Sequence, residues 1–438
     1  MVGFKFQPFS NKQLKILTWW LDNSPVSSKE GIIADGAIRS GKTVSMALSF
    51  VIWSMEKFNG QNLGMSGKTI GSFRRNVLSV LKLMLASRGY EVREHRTDNM
   101  IAITRGTTTN YYYIFGGKDE RSQDLIQGIT LAGMFFDEVA LMPESFVNQA
   151  TARCSVEGSK YWFNCNPASP EHWFKKNWID ESEGKNLQYL HFTMDDNLSL
   201  SPQIKERYKG MYTGVFYDRY IKGLWVLAEG IIFRHFAEHP EDNVVDSDEL
   251  LREMKEKGQR FSKKVIGIDF GGNGSKTTFY LTGYLGGYKK LVVLEEADLP
   301  VRADIDAEAI CDKYIEFYRY CEAKYGPIDL VQPDSASSTL IYSMINAARK
   351  AGLKSNHIKG VKKNEVSERP RTIDLLLTTK RLLISNKCEN LIKSLCNLRW
   401  DDKKPDIPQD INEGNINDYY DAFCYTWIGY TRYIELER

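Results

Sequence analysis

The sequence predicts an α/β protein of two domains, and three observations support this prediction. The chain has 438 residues, which is too long for one ordinary hydrophobic core. The octet GAIRSGKT at residues 36–43 lies between a short apolar run and a stretch with apolar residues at helical spacing. From Val265 onward, three strand-like runs precede alternating helical and strand-like segments. A parallel-sheet domain followed by a mixed-sheet domain accounts for both halves.

Composition narrows the class of protein. Hydrophobic residues make up 42% of the chain and charged residues 26%, as expected for a globular protein. No apolar run approaches the roughly 18 residues that cross a bilayer, and the start of the chain lacks a signal-peptide pattern. We therefore expect a cytoplasmic protein without a membrane partner. The seven cysteines include no C-x-x-C pair and predict reduced thiols, and the net charge of +2 neither requires nor excludes nucleic acid.

The octet fits the phosphate-loop pattern G-x-x-x-x-G-K-[ST]. In this pattern backbone N–H groups bind phosphates, the lysine reaches the terminal phosphates and the hydroxyl residue holds magnesium. Residues 31–34 before it predict a buried strand, and residues 43–58 predict a helix whose N-terminus faces the phosphates. We therefore predict a P-loop NTPase domain whose ATP site includes Gly36, Ser40, Gly41, Lys42 and Thr43.

Such a site needs a second, acidic strand end. An apolar run at residues 131–136 ends in Asp137 and Glu138. We predict that Asp137 binds magnesium together with Thr43, and that Glu138 is the general base that activates water. Two acids after a strand are also a common strand exit, but their pairing with the octet favours hydrolysis. A second Gly-Lys-Thr, at residues 67–69, breaks the eight-residue pattern and predicts a strand that leaves into a turn.

An aromatic run at residues 161–163 predicts a further strand that ends in amides and a proline. An amide at the end of such a strand can sense the terminal phosphate of a nucleotide, and Asn166 is the candidate. An Asx turn before Pro167 explains the same residues without any role in the nucleotide site.

The second half of the chain has a different organisation. A polar stretch at residues 237–264 predicts a connector that ends in a short helix. The segments that follow predict, in order, three strands (265–269, 278–284 and 290–294), a helix (303–324), a strand (328–331) and a helix (338–351). This order is typical of a ribonuclease-H-like mixed-sheet domain.

Four aspartates are candidates for a metal-dependent nuclease site. Asp269 ends the first of these strands, Asp334 follows the fourth, and Asp418 and Asp421 share one face of a terminal helix. Three such carboxylates can converge on two divalent ions about 4 Å apart, which together cut a phosphodiester. Carboxylate ligands suit magnesium or manganese. Single aspartates at strand ends are common, so local evidence alone leaves each assignment open.

Basic residues between the fourth strand and the last helix are candidates for DNA binding. They either form a solvated loop or contact phosphates beside the cutting site without reading sequence. These residues are Lys359, Lys362, Lys363, Arg369 and Arg371. His235 and His239 are four apart but do not predict zinc, because Phe236 stands where a zinc hydrolase has an acid.

Together these motifs resemble the large terminase subunits of tailed double-stranded DNA bacteriophages, the motors that package the genome. The stretches GAIRSGKT, FFDE and FNCNPASPEHWF resemble the ATPase half of that family, and IDFGG, PDSAS and NDYYDAFCYTW resemble its nuclease half. His191 to Phe233 is similar to the family's segment that links and covers the ATPase core. The resemblance implies an ATPase core (1–190), a lid or linker (191–236), a connector (237–262) and a nuclease domain (263–438).

The resemblance also implies roles for individual residues. It implies that Asp269, Asp334 and Asp421 are metal ligands. Members often have a histidine where this chain has Asp418, so Asp418 is either an extra ligand or a residue that shapes the site. Gln13 is similar to the family's adenine-side glutamine.

The family further implies arginines that complete the ATPase site. Arg39 resembles the arginine inside the phosphate loop, although it lies one residue later than in some members. Arg121 is the candidate for an arginine that acts on a neighbouring subunit, and Arg74, Arg75 and Arg153 compete with it.

The partners and cofactors are likewise implied by the resemblance. ATP and Mg²⁺ are the expected cofactors, with Mn²⁺ able to substitute in the nuclease. The expected partners are double-stranded DNA, the portal protein of the procapsid, the small terminase subunit and other copies of the chain, which form a ring on the portal or separate into monomers in solution. The expected location is the host cytoplasm, with transient docking on the procapsid and no place in the mature virion.

Three other classes of protein remain open at this point. A helicase-like or other DNA-repair ATPase-nuclease shares the ATPase motifs, although no second helicase core is evident. An actin-like ATPase or sugar kinase also begins with a strand ending in Ile-Asp-Phe-Gly-Gly, but leaves the phosphate loop unexplained. A scaffold that binds ATP only as a structural ligand has no need of Glu138 as a base.

Overall fold

The computed structural model describes residues 6–271, 275–299, 307–363, 365–401, 404, 406–410 and 416–436. The chain divides into two compact units, one of Met1–Lys209 with Val215–Leu227 and one of Gly210–Gly214 with Ala228–Arg438. Residues 215–227, which return to the first unit, are called the return segment below. No helix among the described residues is long and apolar enough to cross a membrane.

The first unit is built on an eight-stranded sheet with the strand order β3-β4-β5-β2-β6-β7-β1-β8. The strands are β1 (Gly31–Gly36), β2 (Asn62–Gly67), β3 (Glu91–His95), β4 (Met100–Arg105), β5 (Thr108–Gly116), β6 (Gly133–Phe136), β7 (Lys160–Asn164) and β8 (Leu187–Phe192). Every pairing from β5 to β8 is parallel, and β3 and β4 extend the sheet antiparallel. The parallel sheet predicted for this half is therefore present.

Helices and short turns connect and flank these strands. The helices are α1 (Asn11–Thr18), α2 (Lys42–Lys57), α3 (Ile70–Phe73), α4 (Ser79–Ala86), α5 (Glu144–Ala152), α6 (Pro202–Lys209) and α7 (Gly214–Tyr220). Short 3-10 turns lie at 120–126, 139–141 and 194–196, and π-helical turns lie at 74–78 and 175–179.

Both faces of the first sheet are buried, which explains why its central strands are continuous apolar runs. Because successive side chains of a strand point to opposite faces, Ile32 and Phe135 join one hydrophobic cluster, while Ile33 and Phe136 join the other. The carboxyl ends of β1, β6 and β7 then meet at one edge of the sheet. Ligands bind at that edge in open parallel sheets.

The second unit contains a six-stranded mixed sheet with the order β13-β10-β11-β12-β14-β9. The strands are β9 (Val244–Val245), β10 (Lys263–Asp269), β11 (Thr277–Leu285), β12 (Lys290–Leu299), β13 (Leu330–Pro333) and β14 (Leu382–Ser385). β10, β11 and β12, which correspond to the three predicted strands, form an antiparallel meander, and β13, β14 and β9 are added by parallel pairing.

The helices of this unit are α8 (Arg234–Glu238), α9 (Ser247–Glu256), α10 (Ala307–Tyr325), α11 (Ser338–Lys350), α12 (Arg369–Thr378), α13 (Glu389–Asn397), α14 (Ile416–Tyr425) and α15 (Thr431–Leu436). Short 3-10 turns lie at 240–242, 366–368 and 428–430. Helices α10 and α11 supply residues to the hydrophobic cluster on one face of the meander, and α14 packs on β10 and β11.

Some boundaries differ from those predicted. The strand predicted at 328–331 lies at Leu330–Pro333, because the register pairs Leu330 with Val265 and Pro333 with Ile268. The helix predicted over 303–324 is described from Ala307, and residues 303–306 lie outside the described part of the chain. The polar stretch predicted as a connector contributes an edge strand, β9, and helix α9 to the second unit.

Candidate functional site

The phosphate loop connects the end of β1 to the start of α2, as its spacing predicts. The Lys42 ammonium donates hydrogen bonds to the carbonyl oxygens of Gly36 (3.0 Å) and Ala37 (2.7 Å), to Ser40 Oγ (3.1 Å) and to Asn166 Oδ1 (3.2 Å). Burial lowers the pKa of Lys42 to about 8. The ammonium therefore lies inside the loop, where its neutral acceptors can be exchanged for phosphate oxygens.

The acidic strand end lies directly beside the loop. Thr43 Oγ1 donates to Asp137 Oδ1 at 3.0 Å, and Asn164 Nδ2 donates to the same oxygen at 2.9 Å. Burial raises the pKa of Asp137, while the bonds from Asn164 and Thr43 and the charge of Lys42 oppose the rise. A hydroxyl and a carboxylate side by side are the oxygen donors that magnesium prefers, so these residues fit that ion.

Glu138 has a left-handed backbone conformation, with φ of 59°. Its N–H donates to Asn164 Oδ1 at 3.0 Å. Such strained non-glycine residues cluster at functional sites, where the surroundings hold them in place. Asn164 thus fixes both predicted acids, whereas Asn166, the candidate for sensing the terminal phosphate, contacts Lys42. The only local signal for Asn164 was its place at the end of the aromatic strand.

Gln13 and Arg39 lie on the outer side of the loop. Gln13 is buried in the first turn of α1, and its Nε2 is so close to the loop that a Cβ at Gly41 would lie 2.2 Å from it. Arg39 has φ of 58°, and its guanidinium lies over the ring of Tyr208, 5.3 Å from the centroid. The Arg39 carbonyl accepts a bond from Asn197 Nδ2 at 2.7 Å.

The arginines considered for a role in a neighbouring subunit are spread over the first unit. Arg121 is exposed on the 3-10 turn at 120–126. Arg74 donates to Asn99 Oδ1 at 3.2 Å, Arg75 is exposed in the same π-helical turn, and Arg153 follows α5. The choice among them concerns a contact with another copy of the chain and stays a prediction.

In the second unit, four carboxylates influence one another. Asp269 ends β10, Asp334 follows β13, and Asp418 and Asp421 lie on α14. Burial raises the pKa of Asp269 to about 8, and the negative charges of Asp421, Asp334 and Asp418 add to the rise. The topology therefore brings the predicted metal ligands into one electrostatic neighbourhood.

Three of these carboxylates already have cationic or N–H partners. Lys363 pairs with Asp334 at 2.8 Å, Arg369 Nη1 pairs with Asp421 Oδ1 at 2.6 Å, and the Lys276 N–H donates to Asp418 Oδ2 at 2.7 Å.

Among the residues that the structure describes, no three His, Cys, Asp or Glu side chains are already arranged as a metal-binding group. The donor set, several carboxylates that repel one another, nevertheless fits divalent cations. Such ions would compete with Lys363 and Arg369 for their partners.

The basic residues predicted for DNA contact do not share one environment. Lys359 and Lys362 are exposed, and Lys363 reaches Asp334. Arg371 pairs with Glu435 at 2.7 Å. Arg369 is only 2% exposed, because it is the first residue of α12 and turns inward to Asp421. The prediction of an open DNA-contacting surface therefore does not extend to Arg369.

The chain is similar to a known protein family and to several solved structures. The family model described as "Terminase large subunit, T4likevirus-type, N-terminal" matches residues 33–239. The large terminase of a thermophilic bacteriophage is 46% identical, with a TM-score of 0.81 over 94% of this chain and 98% of that one. The same phage protein in complex with ADP is 44% identical, with a TM-score of 0.79 over 97% of this chain and 100% of that one.

A further structure of this thermophilic phage terminase holds ATP-γ-S, with 44% identity and a TM-score of 0.79 over 96% of this chain and 100% of that one. The comparison with curated proteins finds no match. The predicted resemblance is confirmed, because the identity extends over nearly the full length of both chains. The chain therefore belongs to the large terminase subunits of tailed double-stranded DNA bacteriophages, which hydrolyse ATP to package the viral genome and cut its DNA.

Proposed function

We propose that ATP hydrolysis takes place at the edge of the first sheet, with roles assigned residue by residue. Lys42 and the loop N–H groups bind the phosphates, Thr43 and Asp137 hold magnesium, and Glu138 accepts the proton of the attacking water. The observation that carries this proposal is the contact of Thr43 with Asp137 beside the buried Lys42. The complexes of the thermophilic phage terminase with ADP and ATP-γ-S support a nucleotide at this loop.

The remaining nucleotide-site residues have secondary roles in this proposal. Gln13 lies against the loop and contacts the adenine side of the nucleotide. Asn166, which contacts Lys42, senses the terminal phosphate. Arg39 stabilises charge at the phosphates in its own subunit, and Arg121 does so in a neighbouring one.

We propose that DNA is cut at the carboxylates of the second unit. Asp269, Asp334 and Asp421 hold divalent metal, magnesium in the cell with manganese as a substitute. When bound, two such ions activate water and stabilise the leaving oxygen of a phosphodiester. Asp418 shapes the site in this proposal, and its Oδ2 accepts the backbone N–H of Lys276. Lys363 and Arg369 hold Asp334 and Asp421 in place until metal binds.

The assembly that follows from these sites is a packaging motor. Several copies form a ring on the portal protein of the procapsid, in the host cytoplasm, and the small terminase subunit selects the start site. In each copy the core (1–190) hydrolyses ATP and shifts the lid (191–236), which pushes duplex DNA inward. The nuclease domain (263–438), joined by residues 237–262, cuts the concatemer.

The two chemistries can be separated with two variants and two matched controls. Lys42→Ala removes the phosphate-binding ammonium, and Lys68→Ala makes the same change in the second Gly-Lys-Thr. Asp269→Asn removes a proposed metal ligand, and Asp312→Asn makes the same change on the exposed side of α10. Phosphate release from ATP and plasmid cutting with manganese are measured for all four.

We expect Lys42→Ala to lower phosphate release by about 100-fold or more while plasmid cutting persists. Asp269→Asn should abolish cutting and leave hydrolysis intact, and both controls should behave like the wild type. Loss of hydrolysis in Asp269→Asn would contradict the assignment of the two chemistries to two separate sites. Unchanged hydrolysis in Lys42→Ala would contradict the proposed role of the phosphate loop.

DNA binding in this proposal depends on phosphate contacts, so affinity should fall steeply with salt. Lys362 is exposed and directly precedes Lys363, the partner of Asp334, so replacing it should reduce the salt slope by about one. The measurement is the apparent Kd for a duplex over a range of salt concentrations. The control is Lys257→Ala. Lys257 directly follows α9, the helix after β9, and β9 is the edge strand on the opposite side of the sheet from β13. An unchanged slope in Lys362→Ala would rule out this contact.

A further inference from the structure

The Asp35 carboxylate is a buried charge that none of the roles above uses. Asp35 lies in β1, just before the phosphate loop, and its side chain is fully buried. It accepts hydrogen bonds from Tyr189 Oη at 2.9 Å and from Trp225 Nε1 at 2.6 Å, and it contacts His191 Nδ1 at 2.9 Å. A buried carboxylate needs such partners, because leaving it unpaired would be costly.

These partners come from two different parts of the first unit. Tyr189 and His191 lie on β8, which is already paired with β1 along the backbone, with His191 directly opposite Asp35. Trp225 lies in the return segment (residues 215–227), which has no strand pairing with β1. Of these hydrogen bonds to Asp35, the one from Trp225 therefore connects β1 to the return segment.

The same segment also contacts the first residues of the phosphate loop. The Ile38 N–H donates to the Tyr220 carbonyl at 2.8 Å. Gly223 approaches the loop so closely that a Cβ there would lie 2.7 Å from the Ala37 nitrogen. The return segment is thus attached on both sides of Gly36: to the strand through Asp35, and to the loop through Ala37 and Ile38.

We propose that Asp35 is a positioning residue for ATP hydrolysis, which through Trp225 fixes the return segment against the start of the phosphate loop and makes that segment respond to nucleotide. The bond joins an indole N–H to a carboxylate, and hydrogen bonds to ionised groups are roughly twice as strong as neutral ones. When phosphates bind the loop, the return segment is ordered with it. This inference rests on the proposed nucleotide site. It adds the contacts through which nucleotide binding at the loop affects the return segment.

Two variants that each remove one donor from Asp35 test this inference. Trp225→Phe keeps an aromatic ring but loses the N–H that joins the return segment to β1. Tyr189→Phe loses a donor to the same carboxylate from within the core sheet, and serves as the matched control. Hydrogen–deuterium exchange of the full chain is measured with and without ATP-γ-S, for peptides covering the loop and residues 214–227. Steady-state hydrolysis gives kcat and KM.

In the wild type and in Tyr189→Phe, we expect ATP-γ-S to slow exchange in both the loop and residues 214–227. In Trp225→Phe the loop should still be protected while residues 214–227 lose their response, and kcat should fall about tenfold with KM changed less than about twofold. Retained protection of the loop also shows that the variant is folded and binds nucleotide.

Several outcomes would overturn the inference. They are a normal response of residues 214–227 in Trp225→Phe, an equal loss in both variants, and failure of Trp225→Phe to bind nucleotide at all. In the wild type, protection of the loop without protection of residues 214–227 would reject the inference alone. Absence of protection in the loop itself would instead reject the proposed nucleotide site.

Discussion

Asn164 aligns two parts of the nucleotide site with one amide. Its Nδ2 donates to Asp137 Oδ1, and its Oδ1 accepts the N–H of Glu138. The carboxylate that would hold magnesium and the backbone of the proposed base are therefore fixed by the same side chain. Residues that orient a metal ligand in this way commonly change metal affinity or activity by about 10–100-fold when they are replaced.

We expect Asn164→Ala to raise the magnesium concentration needed for half-maximal ATP hydrolysis by roughly 10-fold or more. Asn166→Ala is the comparison, because Asn166 contacts Lys42 rather than Asp137 and should leave the magnesium requirement unchanged. Phosphate release titrated with magnesium at saturating ATP measures both. Equal shifts in the two variants would mean that Asn164 has no specific role in orienting Asp137.

At the level of elements, the nuclease site depends on how closely α14 packs on β10. Gly267 is buried in β10, two residues before Asp269, and faces the helix that carries Asp418 and Asp421. A Cβ at this position would lie 2.3 Å from the carbonyl oxygen of Ala422. The absence of a side chain at Gly267 therefore sets the distance between the carboxylates on the strand and those on the helix.

Gly267→Ala should push α14 away from β10, lower stability by about 1–3 kcal/mol and reduce DNA cutting far more than ATP hydrolysis. Gly429→Ala is a milder change in the same unit, since the nearest atom to its Cβ would be Gln332 Nε2 at 3.4 Å. Urea unfolding and manganese-dependent plasmid cutting measure the two effects. Full cutting activity in Gly267→Ala would show that the helix position does not control the site.

The elements also show what could be predicted from sequence. The phosphate loop, the acids after β6, and the aspartates at the end of β10 and after β13 follow from local spacing and from the ends of apolar runs. Asn164 and Asp35 could not be identified in this way, because their partners are distant in the chain: Thr43 lies 121 residues from Asn164, and Trp225 lies 190 residues from Asp35. The inward turn of Arg369 likewise depends on Asp421, 52 residues away.

In the whole molecule, residues 210–214 are anchored in the second unit although the chain on both sides belongs to the first. Thr213 donates to the Asp374 carboxylate through its N–H at 3.2 Å and its hydroxyl at 2.7 Å. Burial raises the pKa of Asp374 to about 6, and the two bonds from Thr213 oppose the rise. The folded chain therefore binds this proton more tightly than the unfolded chain, in which an aspartate has a pKa of about 3.9.

This difference predicts a pH dependence of stability. Between about pH 4 and pH 6 the folded state holds more protons at Asp374 than the unfolded state, so the free energy of unfolding falls as pH rises. From about pH 5 to pH 7.5 the wild type should lose about 1 kcal/mol relative to Asp374→Asn. Urea unfolding of the full chain at both pH values measures the difference, with Asp312→Asn as the exposed control. A constant difference between wild type and Asp374→Asn would contradict the raised pKa.

The path of the chain decides what a single cut by a protease can separate. Cleavage between Leu227 and Ala228 would leave an N-terminal fragment that still carries residues 210–214, a piece of the other unit's structure held at Asp374. The two fragments would then behave as a split protein whose halves stay associated after the peptide bond is broken. Because residues 210–214 belong to the second unit and residues 215–227 to the first, no single cut in the chain separates the two units completely.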